Sequence, residues 1–126
     1  MGPRMVASVD ERALEPFRRL KRAGVSALVR ALETYLRDAP QRLSAMKRAA
    51  EQGDAQAIYL EAHTLKSSSA QLGAHPLAAS LREIEGLAKR DPSAVPPLIA
   101  GVEAHFAMTE RSLRTILERE SQHAVR

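Results

Sequence analysis

The chain has 126 residues, a formal net charge of +4 and a hydrophobic content of 44%. This length matches one ordinary domain with a single core, and the composition argues against a disordered chain. The absence of Cys excludes disulfides, thiolate metal sites and a Cys nucleophile, and it is compatible with the cytoplasmic location that we expect. No segment approaches the roughly 18–20 consecutive apolar residues of a membrane span.

The excess of basic residues does not by itself indicate nucleic-acid binding. Lys and Arg alternate with Asp and Glu in most segments, and only 3% of the residues are aromatic. Because neither a recognition motif nor an aromatic stacking platform accompanies the charge, we expect a solvated basic surface and no nucleic-acid partner. Alternatively, the basic clusters at 18–22 and 47–48 form a surface for an acidic partner.

A composition rich in Ala, Leu, Glu and Arg favours helices, and no segment has the alternating pattern of a strand. The first predicted helix is short and basic, spans residues 10–23 and ends at Gly24. The second follows Ser26, which is suited to an N-cap, and runs to about residue 52. Pro40 interrupts this second segment, which predicts a kink or two collinear helices.

A Gly-Asp pair is then suited to end the second helix and to cap the third. The third helix is predicted over residues 54–72, with Gly73 just beyond its end. The fourth spans residues 76–90, and the last spans residues 97–120.

Four long amphipathic helices with short connections predict an all-α, up-down four-helix bundle with a short additional N-terminal helix. We assign residues 10–120 to this bundle. Residues 1–9 are expected to be a flexible N-terminus or to have been introduced for expression, and residues 121–126 are expected to be a C-terminal tail.

The third helix carries the most informative pattern. Its apolar or small residues recur at spacings of three and four, which predicts one continuous buried stripe. The stripe consists of Ala55, Ile58, Ala62, Leu65, Ser69 and Leu72. At roughly 100° per residue, His63 lies about 130° from the centre of this stripe, so its side chain is expected on an open flank of the bundle.

The neighbours of His63 on the helix surface follow from the same geometry. Lys66 and Ser67 lie one turn further along, and Ala70 continues that surface. The small side chains leave the imidazole unobstructed, and Lys66 places a cation beside it. A neutral imidazole is a competent nucleophile near neutral pH, and Lys66 is positioned to offset the charge of a phosphoryl group on the ring.

Residues 62–74 read Ala-His-Thr-Leu-Lys-Ser-Ser-Ser-Ala-Gln-Leu-Gly-Ala. This string resembles the signature of histidine-containing phosphotransfer (HPt) domains, in which the phospho-accepting His is followed by x-Leu-Lys, small residues and Leu-Gly-Ala. The resemblance covers residues 14–90 well, whereas the last helix is similar only as a generic amphipathic helix. One difference is Ser67, where many members have Gly.

The resemblance implies a phosphocarrier without nucleotide binding rather than an autonomous kinase. His63 would accept a phosphoryl group through Nε2 from an aspartyl phosphate on one response-regulator receiver domain and return it to the Asp of another. Lys66 would stabilise the phosphoryl charge, and Ser67 and Ala70 would shape the approach of the partner. The implied cofactor is Mg²⁺ on the receiver, with none bound by this chain.

Tyr59 and Glu85 are also assigned to the partner-binding surface. Glu85 matches a position where the family often has a polar residue that supports the site, although an ordinary surface Glu is the simpler interpretation. Gln71 receives no role. The chain is either a stand-alone protein or the C-terminal module of a hybrid sensor kinase, and its oligomeric state is open.

Other functions and sites remain as alternatives. The bundle is alternatively an interaction module that docks a receiver, kinase or enzyme without phosphotransfer, or a basic nucleic-acid binder. Glu120 and His123 have the Glu-x-x-His spacing of di-iron bundles, but the motif occurs once and we expect no metal site. His75 is expected to have a capping or loop role, and His105 is expected at the edge of the bundle.

Overall fold

The structure, a computed structural model, describes residues 5–6, 8–22 and 25–124. The chain begins with short elements: β1 (Met5–Val6), β2 (Val9–Asp10), a 3₁₀ turn (Glu11–Leu14), α1 (Glu15–Arg18), β3 (Lys21–Arg22) and β4 (Val25–Ser26). Four long helices follow: α2 (Ala27–Gln52), α3 (Ala55–Gln71), α4 (His75–Arg90) and α5 (Pro96–Ala124). A second 3₁₀ turn (Pro92–Ala94) connects α4 with α5.

The four long helices form a bundle in which each helix packs against its neighbours in the chain, and α5 closes the ring by packing against α2. Leu, Ile, Ala and Val side chains from all four helices fill the core. One buried polar pair also connects α2 with α3, where the Tyr35 hydroxyl and Ser69 Oγ are 2.8 Å apart. The predicted all-α bundle with an additional N-terminal helix is therefore confirmed.

Side-chain caps and left-handed glycines set the boundaries of α2 and α3. Ser26 Oγ accepts a hydrogen bond from the Leu28 N–H at 3.1 Å, and Asp54 Oδ1 accepts one from the Ala57 N–H at 3.1 Å. Gly53, between the two helices, has φ of 68°, which favours glycine. These caps occur where the sequence predicts them.

Pro40 lies inside α2 without ending it. Of the two predicted alternatives, two collinear helices are therefore wrong, and a kink stays a prediction. Proline removes one backbone donor from the helix. Leu36 and Ala39 before it and Met46 after it are all buried. Burial of one apolar face on both sides of the proline keeps the helix continuous, because most helix stability in proteins comes from such packing.

The first predicted helix is wrong in length, since α1 ends at Arg18 and the chain then turns. Leu20 lies within the predicted range of this helix, but its side chain is 62% exposed. The Leu20 carbonyl instead accepts a hydrogen bond from the Ala27 N–H at 2.9 Å. A short helix with few buried contacts is marginal in water, which explains its early end. Gly24 lies outside the described residues.

The chain also contains strands that the sequence did not predict. β1 pairs antiparallel with β2, and β3 pairs antiparallel with β4. Each strand has only two residues, which is too short to show alternation in the sequence. These two small ladders lie before the bundle and leave its all-α architecture unchanged.

The predicted domain boundaries differ from the structure at both ends. Ser8 and Val9 are buried, although they were assigned to a flexible terminus, and the Asp10 N–H donates to the Gly73 carbonyl at 2.9 Å. At the other end, α5 continues to Ala124, beyond the predicted end at residue 120. Among the described helices, none combines the length and apolarity needed to cross a membrane.

Candidate functional site

His63 lies on an open flank of the bundle, as the helical spacing predicts. The neighbouring stripe on α3 points inward, because Ile58, Ala62, Leu65 and Ser69 are all buried. The His63 side chain is 51% exposed. It is therefore a surface histidine whose orientation depends on a small number of contacts.

The first of these contacts comes from Glu85 on α4, the helix against which α3 packs most extensively. His63 Nδ1 lies 2.6 Å from Glu85 Oε2, and Lys66 Nζ donates to Glu85 Oε1 at 2.8 Å. The Glu85 side chain is only 16% exposed. Its interpretation as an ordinary surface Glu is therefore wrong, since the carboxylate connects the histidine with the lysine.

The ionisation of Glu85 determines how the imidazole is protonated. Burial alone would raise the pKa of Glu85, but hydrogen bonds from Lys66 and His63 outweigh it and hold the pKa below its ordinary value. The carboxylate is thus ionised at neutral pH and only accepts hydrogen bonds. The proton of a neutral His63 ring is therefore assigned to Nδ1, and the lone pair lies at Nε2.

The second contact comes from Tyr59, one turn earlier on α3. The two rings stack with centroids 5.8 Å apart and planes inclined by 14°. Lys89 of α4 approaches the same tyrosine, with Nζ 4.2 Å from the ring centroid. Tyr59 was predicted as a partner contact, and the structure places it directly against the imidazole.

The surface around His63 consists of small side chains and one large apolar side chain. Ser67 and Ala70 are exposed, as predicted. Leu60, one turn before the histidine, is 53% exposed. Sequence reasoning missed Leu60 because it considered only the buried stripe, although an apolar residue outside that stripe was a readable signal. It also missed Lys89, since its contact depends on how α4 is rotated against α3.

The chain is similar to known proteins in sequence and in fold. A family model described as Hpt domain matches residues 30–123. The chain belongs to this family. The match includes α5, so the resemblance extends beyond the residue 90 at which the sequence motif ends.

A solved structure, the histidine-containing phosphotransfer protein B (HptB) from Pseudomonas aeruginosa PAO1, is similar with 29% identity and a TM-score of 0.79. The alignment covers 89% of this chain and 96% of that chain. A search of curated protein sequences gives no significant match. Like other Hpt domains, the chain is a histidine phosphotransfer module of phosphorelays.

His75 and His105 of this Hpt domain lie on other helices than His63. His75 begins α4, is exposed and has Nε2 3.8 Å from Asp10 Oδ2, while His105 is half-buried on α5. The side chain of His123 lies outside the described residues, so the pairing with Glu120 is not tested. Within the described part of the chain, no group of three or more potential metal ligands is found.

One residue of each basic cluster of the Hpt domain forms ion pairs with carboxylates of the same chain. Arg18 contacts Glu11, Glu15 and Glu120, which ties the N-terminal segment to α5. Lys47 Nζ lies 3.5 Å from Glu103 Oε2. These cations therefore have structural partners within the bundle.

Proposed function

We propose that His63 is the phospho-accepting residue and that it carries a phosphoryl group between the aspartates of two receiver domains. The observation that carries the proposal is the contact of Nδ1 with the Glu85 carboxylate. This contact leaves Nε2 as the unprotonated nitrogen of a half-exposed ring. A nucleophile needs a free lone pair, and this arrangement supplies one at Nε2.

The transfer step is chemically balanced without a proton donor on this chain. Nε2 attacks the phosphorus of the receiver's aspartyl phosphate, a P–N bond forms, the P–O bond breaks, and the aspartate leaves as a carboxylate. Nδ1 keeps its proton, so the phosphorylated ring becomes cationic. The Glu85 carboxylate stabilises that cation, as the buried Asp does for the His of a Ser-His-Asp triad.

Lys66 is the proposed stabiliser of phosphoryl charge. Its ammonium group is held by Glu85 Oε1, on the same carboxylate that orients His63. Phosphoryl transfer is catalysed mainly by positioning and by charge stabilisation on the equatorial oxygens. A flexible lysine that shares the carboxylate with the histidine reaches toward the incoming group while Glu85 keeps it near the site.

The partner-binding surface is proposed to include Ser67 and Ala70, whose small side chains allow close approach, and Leu60, whose exposed side chain offers an apolar contact. Tyr59 and Glu85 were also assigned to this surface, but both contact His63, and we propose that they act on the histidine rather than on the receiver. We expect the receiver to contribute the acidic pocket and its Mg²⁺, with no cofactor on this chain.

The cellular context is part of the same proposal. We expect the module to act in the cytoplasm, without a nucleic-acid partner, either alone or as the C-terminal module of a hybrid sensor kinase. Fractionation of the source cells tests the location, and the full-length gene product shows whether a receiver and kinase core precede it.

The proposal is tested by charging receiver domains with acetyl phosphate and Mg²⁺ and by following transfer of label to this chain. The wild-type protein is expected to acquire acid-labile, base-stable label, and His63→Gln is expected to acquire none. His75→Gln is the matched control, because this histidine is also exposed but begins α4 away from the site. If His63→Gln still accepts phosphate, the assignment is wrong.

A phosphorylation-independent role gives a different result. The interaction module would be favoured over the phosphocarrier if the wild-type protein bound receivers but acquired no label. Full biological activity of a His63→Ala variant would favour it as well.

A further inference from the structure

The hydrogen bond to Glu85 fixes one atom of the His63 ring but does not fix the plane of the ring. The imidazole moves by rotation about its Cα–Cβ and Cβ–Cγ bonds, and one hydrogen bond to a carboxylate on a flexible side chain restrains these two torsions without fixing both. The half-exposed ring has solvent over much of its remaining surface. The direction of the Nε2 lone pair therefore requires a second constraint, which must come from a neighbour of the ring face.

Tyr59 supplies that constraint. Its ring stacks on the imidazole at 14° between planes and 5.8 Å between centroids, within the range of offset aromatic stacking. Tyr59 is itself half-buried, so its own freedom is restricted by the bundle. A tilt of the imidazole would break the parallel contact with the tyrosine face.

Lys89 in turn holds Tyr59. Its Nζ lies 4.2 Å from the tyrosine centroid, which is within cation–π distance. Lys89 lies one helical turn after Glu85 on α4, just as His63 lies one turn after Tyr59 on α3. The two helices therefore meet in two successive contacts, with Glu85 on His63 and Lys89 on Tyr59.

We propose that Tyr59 is a positioning residue that sets the plane of the His63 ring for phosphoryl transfer, and that Lys89 holds Tyr59 in place. This inference rests on the proposed role of His63. Tyr59 does not touch the reacting atoms, so its effect is on the transfer rate at saturation rather than on receiver binding. Misalignment of a reacting atom by about 1 Å costs up to about 100-fold in rate, and we expect about a tenfold loss when the tilt is freed.

The experiment compares two substitutions of Tyr59, using a receiver that transfers label to the wild-type protein. Tyr59→Phe keeps the ring and is expected to stay within about twofold of the wild-type rate at saturating receiver. Tyr59→Leu removes the ring and is expected to be about tenfold slower at saturation, with receiver affinity changed by less than about twofold. On Lys89, we expect Lys89→Met to lose about threefold and Lys89→Arg to retain the rate, because Arg preserves the cation.

A spectroscopic measurement on the unliganded protein is independent of the partner. The ring protons of His63 are expected to show an upfield ring-current shift and Overhauser contacts to Tyr59 in the wild type and in Tyr59→Phe. Both features are expected to vanish in Tyr59→Leu. Absence of these contacts in the wild type would overturn the inference even if Tyr59→Leu failed to fold.

The kinetic outcomes distinguish this inference from the function itself. If the wild type acquires no label, the role of His63 fails. If the wild type and Tyr59→Leu transfer equally fast, only the positioning role fails. If Tyr59→Leu lost only receiver affinity, Tyr59 would be a docking contact. If Tyr59→Phe were as slow as Tyr59→Leu, the effect would belong to the hydroxyl group rather than to the ring. Each of these last two results would overturn the inference.

Discussion

Replacing Glu85 by Gln removes the negative charge beside His63 while it preserves the size and shape of the side chain. In the proposed mechanism, the carboxylate stabilises the cationic ring that forms when His63 is phosphorylated. A unit-charge pair at about 4 Å is worth about 1 kcal/mol in water and about 4 kcal/mol near a protein surface. Two effects reduce the loss in Glu85→Gln: solvent screens the half-exposed His63, and Lys66, no longer held by a carboxylate, can move toward the phosphoryl group. We therefore take the net loss of stabilisation as about 1.4 kcal/mol, which corresponds to about a tenfold slower transfer.

The assay measures transfer from a labelled receiver at saturating concentration, together with receiver affinity. Glu85→Gln is expected to be about tenfold slower than the wild type with unchanged affinity. Glu83→Gln is the matched control, since Glu83 is an exposed carboxylate two residues away on the same helix. Wild-type transfer by Glu85→Gln, or an equal loss in Glu83→Gln, would refute the charge argument.

The same substitution has a signature in the stability of the bundle at acidic pH. The folded protein holds the pKa of Glu85 below its ordinary value, mainly because the hydrogen bonds from Lys66 and His63 outweigh burial, which acts in the opposite direction. The unfolded chain therefore binds this proton more readily, so the contribution is fully present above the ordinary Glu pKa and is lost as the pH falls through the lower folded value. The stability difference between wild type and Glu85→Gln should shrink in that window, and parallel curves in thermal melts would contradict the assignment.

Two further predictions concern the fold. Gly73→Ala should be destabilised more than Gly53→Ala. Both glycines have positive φ, which costs about 1–2 kcal/mol for Ala, but only at Gly73 would an added Cβ collide with backbone, the Asp10 carbonyl oxygen. Equal urea midpoints would contradict this. Burial raises the pKa of Tyr35 to about 12, although the hydrogen bond with Ser69 acts in the opposite direction. The stability of the wild type should therefore fall between about pH 10 and 12, and Tyr35→Phe should lack this contribution to the fall. Coincident alkaline unfolding curves would refute that account.

The position of His63 was predictable because it depends only on local geometry. A stripe with spacings of three and four fixes which face of α3 is buried, and every other direction on that helix follows from the residue number. The caps at Ser26 and Asp54 were predictable for the same reason, since a cap is defined by residues that follow it closely in the chain.

The contact of Glu85 with His63 was not predictable in this way. The two residues are 22 positions apart, and Glu85 lies next to the buried Ile84 at the edge of the apolar stripe of α4. A residue at such an edge faces solvent or the adjacent helix, depending on how α4 is rotated and on which side it packs. The sequence pattern of α4 is the same in both cases, so the carboxylate's role appeared only in three dimensions.

The N-terminal region departed from prediction for a related reason. The pattern of Leu14 and Phe17 is compatible with a continuing helix, but Leu20 finds no surface to cover and remains exposed. Local propensity alone does not hold a short helix in water, and the chain forms a small ladder instead. Val9 is buried, and the next residue, Asp10, donates a backbone hydrogen bond to the distant Gly73, a contact that local sequence patterns do not encode.

The charges around His63 suit a protein that holds a phosphoryl group only temporarily. Before transfer, the negative charge of Glu85 is already matched by the positive charge of Lys66, at 2.8 Å. A phosphoryl group with close to two negative charges must therefore share Lys66 with the carboxylate, so this chain alone offsets only part of its charge. Incomplete stabilisation suits an intermediate carrier, because a phosphohistidine held too strongly would not pass its group on. On this argument the remaining stabilisation comes from the docked receiver, and the phosphoryl group moves only when a partner is in place.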